Sequence, residues 1–99
     1  MIDLETYAER TGIPVSVIKS KTRKTETVVA RQVYWFYLKS QGFGYSQIAR
    51  IFEMNHSTVV HGIKKIEGFI SVNEPYVGRY LDIIKVNNYK LKSYDIEKV

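Results

Sequence analysis

Apolar residues recur along this chain at spacings of three and four positions, and no segment shows the strict alternation of a half-buried strand. Asp3 is placed to cap a first helix that ends near Thr11, where Gly12 can adopt a left-handed conformation. Pro14 suits the first turn of a short second helix over residues 15–20. The periodicity therefore predicts helices from the start of the chain.

Four further helices follow from the same pattern. Thr25 is the predicted cap of the third helix, and Ser46 is the predicted cap of the fourth, whose inward residues are Ile48, Ile51 and Phe52. These helices are predicted to span residues 25–41, 46–52, 56–70 and 75–89. The predicted fold is all-α, a compact helical bundle.

The third helix carries apolar residues around most of its circumference instead of along one stripe. They are Val28, Val29, Val33, Trp35, Phe36, Tyr37 and Leu38. Such a helix is normally the buried centre of a bundle, so these aromatic residues are predicted to be core and not a ligand-stacking surface. Three other tyrosines are candidates for an exposed partner surface, namely Tyr76, Tyr80 and Tyr89, although the favoured interpretation is that most of the tyrosines cover the core.

Composition narrows the class of protein. The 99 residues suffice for one domain, predicted over residues 1–89 with a frayed or weakly helical tail at 90–99. The chain has no cysteine, which excludes disulfides and thiolate metal sites. No apolar run is long enough to span a membrane, and the acidic start is unlike a signal peptide. We therefore expect an intracellular, cytoplasmic protein without a membrane partner.

The net charge of +5 suits a polyanionic partner, and its distribution is more informative than its size. Residues 21–24 contain no apolar side chain and are predicted to form an exposed basic loop. A cluster of cations surrounds this loop, opposed only by Glu26, and consists of Lys19, Lys21, Arg23, Lys24 and Arg31. Clustering of this kind indicates a docking surface.

The fourth and fifth helices, joined by a short turn, have helix-turn-helix proportions. At about 100° per residue, one face of the fifth helix carries Val59, Ile63, Ile66 and Ile70. The opposite face carries Ser57, Thr58, His61, Lys64 and Lys65. This polar face has no carboxylate and offers the donors and acceptors that major-groove edges and phosphates require. The pattern predicts a double-stranded DNA reader whose recognition helix begins near Asn55 and His56.

Simpler interpretations of the same residues remain open. Asn55 or Ser57 can serve as an N-cap, which does not exclude contact with the groove. His61 can be an ordinary exposed histidine, and Lys64 and Lys65 can form a solvated face.

Residues 55–62 read Asn-His-Ser-Thr-Val-Val-His-Gly, followed by Lys-Lys-Ile at 64–66. This stretch resembles the signature of the C-terminal DNA-binding domain (domain IV) of the bacterial replication initiator DnaA, usually Asp-His-Ser/Thr-Thr-Val-Leu-His-Ala. Upstream, residues 20–24 are similar to the family's basic loop, and residues 30–32 are similar to the start of its central helix. Residues 45–52 are similar to the first helix of its helix-turn-helix. The resemblance spans roughly residues 4–84. It implies a Trp-repressor-like bundle and a role in replication initiation, origin binding or replication regulation.

The resemblance also implies a role for each matched residue. Arg23 matches the arginine that enters the minor groove, and a narrow A·T-rich groove favours such an insertion. The residues that read major-groove bases are Asn55, His56, Ser57 and Thr58. The residues that lie near the DNA backbone are Lys21, Lys24, Arg31, Gln32, Ser46, His61, Lys64 and Lys65. No cofactor is implied.

The chain departs from the family pattern in two ways. Asn55 replaces the usual aspartate, and because an amide both donates and accepts and pairs well with adenine, we expect an altered preference at one or two base pairs. No phosphate-binding loop of the Gly-x-x-x-x-Gly-Lys-Ser/Thr type is present, so this chain cannot couple ATP to oligomerisation. The Met1 start and the extension beyond the usual domain end favour a stand-alone protein over a fragment.

Other function classes fit less well. A nuclease needs clustered carboxylates for metal, yet the ten acidic residues are scattered. His56 and His61, about 140° apart on a helix, lack further ligands for a metal site. A nucleophile such as Ser57 needs an oriented base and a pocket, which a bundle this small rarely forms. An interaction module that binds replication-regulatory proteins, or a decoy for the initiator, is the main alternative. RNA binding is disfavoured because the polar face has no aromatic platform. The pattern leaves the oligomeric state open.

Overall fold

The structure is a computed structural model that describes residues 1–85. All regular structure in these residues is helical, in the order α1 (Leu4–Thr11), α2 (Val15–Ile18), α3 (Thr25–Ser40), α4 (Tyr45–Phe52), α5 (His56–Ser71) and α6 (Pro75–Lys85). The predicted all-α fold is confirmed. The predicted end of the last helix at residue 89, Tyr89 and the tail at 90–99 lie outside the described residues. Across residues 1–85, the helices are too short or too polar to cross a membrane.

The ends of α1 lie where the sequence predicts them. The Asp3 carboxylate accepts a hydrogen bond of 2.8 Å from the backbone N–H of Thr6, and this bond lowers the pKa of Asp3. Gly12 ends the helix at φ 80°, a left-handed conformation that glycine adopts without strain. Helix α2 ends at Ile18, two residues earlier than predicted.

The predicted caps of α3 and α4 are wrong. Thr25 is the first helical residue of α3, because the hydroxyl of Thr22 accepts from the backbone N–H of Lys24 and turns the chain one residue earlier. Ser46 lies inside α4, which begins after Gly44, whose N–H donates to the Gln47 side chain at 2.8 Å. In both cases the backbone N–H of the residue before the helix donates a hydrogen bond to a side chain two or three residues away.

Helix α3 is the centre of the bundle and packs against α2, α4, α5 and α6. Trp35 is 1% exposed and meets Phe52 of α4 edge to face, with ring centroids 5.8 Å apart. The Tyr7 hydroxyl donates 2.7 Å to the Ala30 carbonyl, so α1 is tied to α3 through a satisfied buried phenol. The prediction that the α3 aromatic residues form the core is confirmed.

One predicted orientation is wrong, and one of the tyrosines that were candidates for the surface is buried. Ile51 was expected to face inward but is 42% exposed. Around the helix axis it lies about 105° from the centre of the buried face, which is formed by Ile48, Ala49 and Phe52. Tyr80, a candidate for the partner surface, is 2% exposed and belongs to the core, since α6 packs this face onto α1 and α3. Tyr76, a second candidate on the same helix, is exposed.

Helices α4 and α5 form the helix-turn-helix. Between them Glu53 adopts φ 54°, a left-handed conformation that reverses the chain, and the Met54 N–H donates back to the Ala49 carbonyl. Helix α5 then lies along α3 through three fully buried residues, Val59, Ile63 and Ile66. This packing fixes which face of α5 remains in solvent.

Candidate nucleic-acid interface

The N-terminus of α5 is capped and open to solvent. The Asn55 side-chain oxygen accepts from both the backbone N–H of Ser57 (3.0 Å) and its hydroxyl (2.8 Å). The N-cap alternative for Asn55 is therefore confirmed. Residues 55–58 are all exposed, and the first turn of α5 contains no acidic residue. An exposed helix start with free N–H groups and partial positive charge favours a nearby phosphate.

The outer face of α5 continues this polar surface. All of its residues singled out from the sequence are exposed: Ser57, Thr58, His61, Lys64 and Lys65. The His56 ring meets the Tyr45 ring edge to face at 6.0 Å, and the Lys39 ammonium lies over the same tyrosine at 4.8 Å from the ring centroid. Tyr45 thus links α4 to the start of α5, a contact that the sequence did not indicate. Among residues 1–85 there is no group of three side chains suited to hold a metal ion.

The basic loop lies between α2 and α3. Its cations Lys21, Arg23 and Lys24 are exposed. The loop contains no regular structure between residues 21 and 24, as predicted. Lys21 donates a 2.9 Å hydrogen bond from Nζ to the backbone carbonyl of Glu53, in the turn of the helix-turn-helix. This bond brings the basic loop beside the turn that leads into α5, although the two are 32 residues apart in sequence.

Arg31 differs from the other cations. It is 5% exposed, and it donates from Nε to the Ile18 carbonyl (2.7 Å) and from Nη2 to the Thr22 carbonyl (3.3 Å). Burial lowers the pKa of its guanidinium from the usual value, but arginine stays protonated in proteins. Contact between Arg31 and the DNA backbone stays a prediction. Its position on α3 does not by itself reveal this burial, because the end of α2 and the basic loop cover the side chain.

Two further residues, Ser46 and Gln32, were also predicted to lie near the DNA backbone. Ser46 is exposed in the first turn of α4, and Gln32 is partly buried on α3. The Gln32 side-chain oxygen is buried without a hydrogen-bond partner in the described part of the chain, as is the Trp35 indole nitrogen. Gly62 of α5 lies against these two side chains: a Cβ there would approach Trp35 ring carbons to 2.8 and 2.9 Å. No pattern in the sequence indicates this close approach.

Comparison with known proteins agrees with this architecture. Residues 4–66 match the family model described as the bacterial dnaA protein helix-turn-helix. The chain is 33% identical over 72 residues to the chromosomal replication initiator protein DnaA of Mycoplasma pneumoniae, covering 72% of this chain and 16% of that protein.

Two further relatives carry the same name. The protein of Kosmotoga olearia is 40% identical over 57 residues (57% of this chain, 13% of that protein), and that of Pseudothermotoga lettingae is 34% identical over 65 residues (65% and 15%). The chain thus spans less than a fifth of the length of these relatives. No solved structure matches it significantly. With a family model covering most of its length and an all-helical fold in residues 1–85 that contains the α4–α5 helix-turn-helix, the chain belongs to the bacterial DnaA helix-turn-helix family, a family of DNA-binding domains.

Proposed function

We propose that this protein binds double-stranded DNA sequence-specifically, at an element resembling the DnaA box, without catalysing a reaction. The observation that carries the proposal is the Lys21–Glu53 hydrogen bond, which joins the basic loop to the helix-turn-helix turn. Two elements held side by side can read adjacent grooves of one duplex. The relatives are named chromosomal replication initiators, so we further propose a role in replication initiation or its regulation.

In this proposal α5 supplies base recognition. Its first residues enter the major groove, where the exposed Asn55, His56, Ser57 and Thr58 contact base edges. The helix start is the end that such recognition helices direct at the bases. The absence of acidic residues from positions 54 to 66 means that no carboxylate repels phosphates along this part of the chain.

The basic loop supplies the second point of recognition and much of the affinity. Arg23 is exposed in the loop and enters the minor groove, where a narrow A·T-rich stretch attracts an arginine. The family resemblance implies contacts to the sugar-phosphate backbone from Lys21, Lys24, Arg31, Gln32, Ser46, His61, Lys64 and Lys65. These contacts fix the register but carry no sequence information directly.

The proposal is tested by fluorescence anisotropy with a labelled duplex containing the nonamer that the DnaA family recognises, and with a scrambled duplex. If about five cations contact phosphates, log K falls with log salt with a slope of roughly −4 to −5. Thr58→Ala and Arg23→Ala should each lower affinity for the nonamer by about 1–3 kcal/mol and reduce discrimination, whereas Lys65→Ala should weaken both duplexes alike.

Arg10→Ala is the matched control for charge, because Arg10 is an exposed arginine on α1, outside the proposed interface. It should leave discrimination between the two duplexes unchanged. Equal affinity of the wild-type protein for nonamer, scrambled and randomly selected duplexes would refute sequence-specific binding. Absence of duplex binding altogether would leave the interaction with replication-regulatory proteins as the function to test.

A further inference from the structure

The side chain of Arg31 connects the centre of the bundle to the basic loop. Arg31 lies in the second turn of α3, and its described hydrogen bonds go to backbone carbonyls and not to a carboxylate. One acceptor, Ile18, is the last residue of α2, and the other, Thr22, is in the loop itself. A single guanidinium therefore bridges the fixed end of α2 and the middle of the loop.

Three other hydrogen bonds hold the loop. One runs from Lys21 Nζ to the Glu53 carbonyl. The other two are short-range, from Thr22 N to the Ser20 hydroxyl and from Lys24 N to the Thr22 hydroxyl, both 3.3 Å long. Thr22 directly precedes Arg23, so the orientation of the arginine depends on where the Thr22 carbonyl is held. The planar guanidinium, with donors in a rigid fork, can hold two carbonyls at once, which an ammonium group does less well.

We propose that Arg31 is a positioning residue, which orders the basic loop in the free protein so that Arg23 is presented to the minor groove in its binding conformation. This proposal rests on the proposed function and assigns Arg31 a different role from the phosphate contact that family resemblance implies. A side chain that is 5% exposed and already bonded to two carbonyls has little surface left for a phosphate. Ordering the loop before binding removes a conformational cost that binding otherwise has to meet.

The first experiment measures loop order without DNA. Backbone ¹⁵N heteronuclear NOEs are compared between the wild-type protein and Arg31→Lys, with Arg10→Lys as the matched control. We expect Arg31→Lys to lower the NOEs of residues 20–24 to the values of a flexible segment, while the amides of α5 stay unchanged. Loop amides as rigid in Arg31→Lys as in the wild-type protein would overturn the proposal.

The second experiment is a double-mutant cycle on affinity for the nonamer duplex. If Arg31 acts through Arg23, Arg31→Lys weakens binding on the order of tenfold in the wild-type background and has almost no effect in Arg23→Ala. The salt dependence of binding should be the same for Arg31→Lys and Arg10→Lys. Equal effects of Arg31→Lys in both backgrounds would show that Arg31 contacts DNA by itself.

A third measurement needs no variant and decides the question if Arg31→Lys does not fold. The Arg31 Nε–H resonance of the wild-type protein should be protected from solvent exchange before DNA is added, and should shift little on binding. An exchange-labile Nε–H that becomes protected only with the duplex would refute the positioning role. If the wild-type protein discriminates no duplex, the proposed function and the DNA-dependent part of this proposal fail together, while the NOE comparison still reports whether Arg31 orders the loop.

Discussion

The contact between Gly62 and Trp35 predicts that one added methyl group will destabilise the protein. In Gly62→Ala the new Cβ would lie 2.8 and 2.9 Å from two carbons of the Trp35 ring and 3.1 Å from Cγ of Gln32. The ring cannot move away easily, because Trp35 is 1% exposed and meets Phe52 edge to face. Helix α5 would therefore have to shift outward from α3.

The magnitude follows from two opposing effects. Alanine is favoured over glycine inside a helix by about 0.8–1.0 kcal/mol, whereas overpacking a close-packed core costs about 1–3 kcal/mol. Gly68→Ala is the matched control, since Gly68 lies in the same helix and a Cβ there meets nothing within 4 Å. Helix propensity cancels between the two variants, so their unfolding free energies should differ by the overpacking cost alone, about 1–3 kcal/mol.

Urea unfolding followed by fluorescence is the appropriate assay, because Trp35 is the single tryptophan of the chain. Gly68→Ala should raise the midpoint, and Gly62→Ala should lower it or leave it unchanged. The Trp35→Phe background, followed by circular dichroism, should reduce the cost of Gly62→Ala because the smaller ring relieves the overlap. Equal stabilisation by Gly62→Ala and Gly68→Ala would refute the argument, since it would mean that the ring yields without cost.

Three further predictions concern single hydrogen bonds and buried phenols. Asn55→Ala should reduce the unfolding free energy in urea by about 1 kcal/mol through loss of the N-cap, while Asn55→Asp should change it little; equal losses would show that the cap bond to Ser57 contributes nothing. Capping lowers the pKa of Asp3, so its stabilisation is present above the unfolded pKa, near 4, and is lost as the pH falls further. The difference in urea midpoint between wild type and Asp3→Ala should accordingly shrink in acid, and a pH-independent difference would contradict this.

Burial also raises the pKa of Tyr7 and of Tyr34. Because the same phenols ionise near pH 10 in the unfolded chain, the free energy of unfolding should decrease as the pH rises above about 10. Tyrosinate absorbance from these two phenols should then appear only together with loss of helical circular dichroism.

The sequence correctly predicted those helix ends at which the capping residue itself determines the end, through its side chain or its backbone conformation. Asp3 and Gly12 act within their own turn, and the pattern around them is sufficient. The starts of α3 and α4 were missed because neighbouring side chains decide them. At α4 the signal was present: Gly44 followed three residues later by Gln47 fits the spacing of a capping box, whose glutamine accepts from the N-cap backbone.

Burial of amphipathic side chains was harder to predict than helix ends. Arg31 and Tyr80 each combine an apolar body with a polar end, and such residues occupy core and surface alike. Which one they occupy depends on the neighbouring helix: α2 and the loop cover Arg31, and packing of α6 covers Tyr80. The pairing of Gly62 with Trp35 is likewise a contact between separate helices, so periodicity within either helix does not reveal it.

The cap at Asn55 restricts what this residue can offer a base. The sequence alone left both faces of the amide available, as donor and as acceptor. In the structure the side-chain oxygen already accepts two hydrogen bonds from Ser57, so the amide nitrogen is the group left free. If the cap persists on DNA, Asn55 contributes donors and favours base edges that accept, such as guanine O6 and N7 or thymine O4.

Asn55→Asp retains the capping oxygen but replaces those donors with a second acceptor, which suits the cytosine amino group instead. Selection from a random duplex library should therefore give sites that differ between the two proteins at the base pair facing this residue, with the remaining positions unchanged. Identical selected sites for Asn55 and Asn55→Asp would mean that the residue acts as a helix cap alone, and that the discrimination of this chain resides in the residues after it.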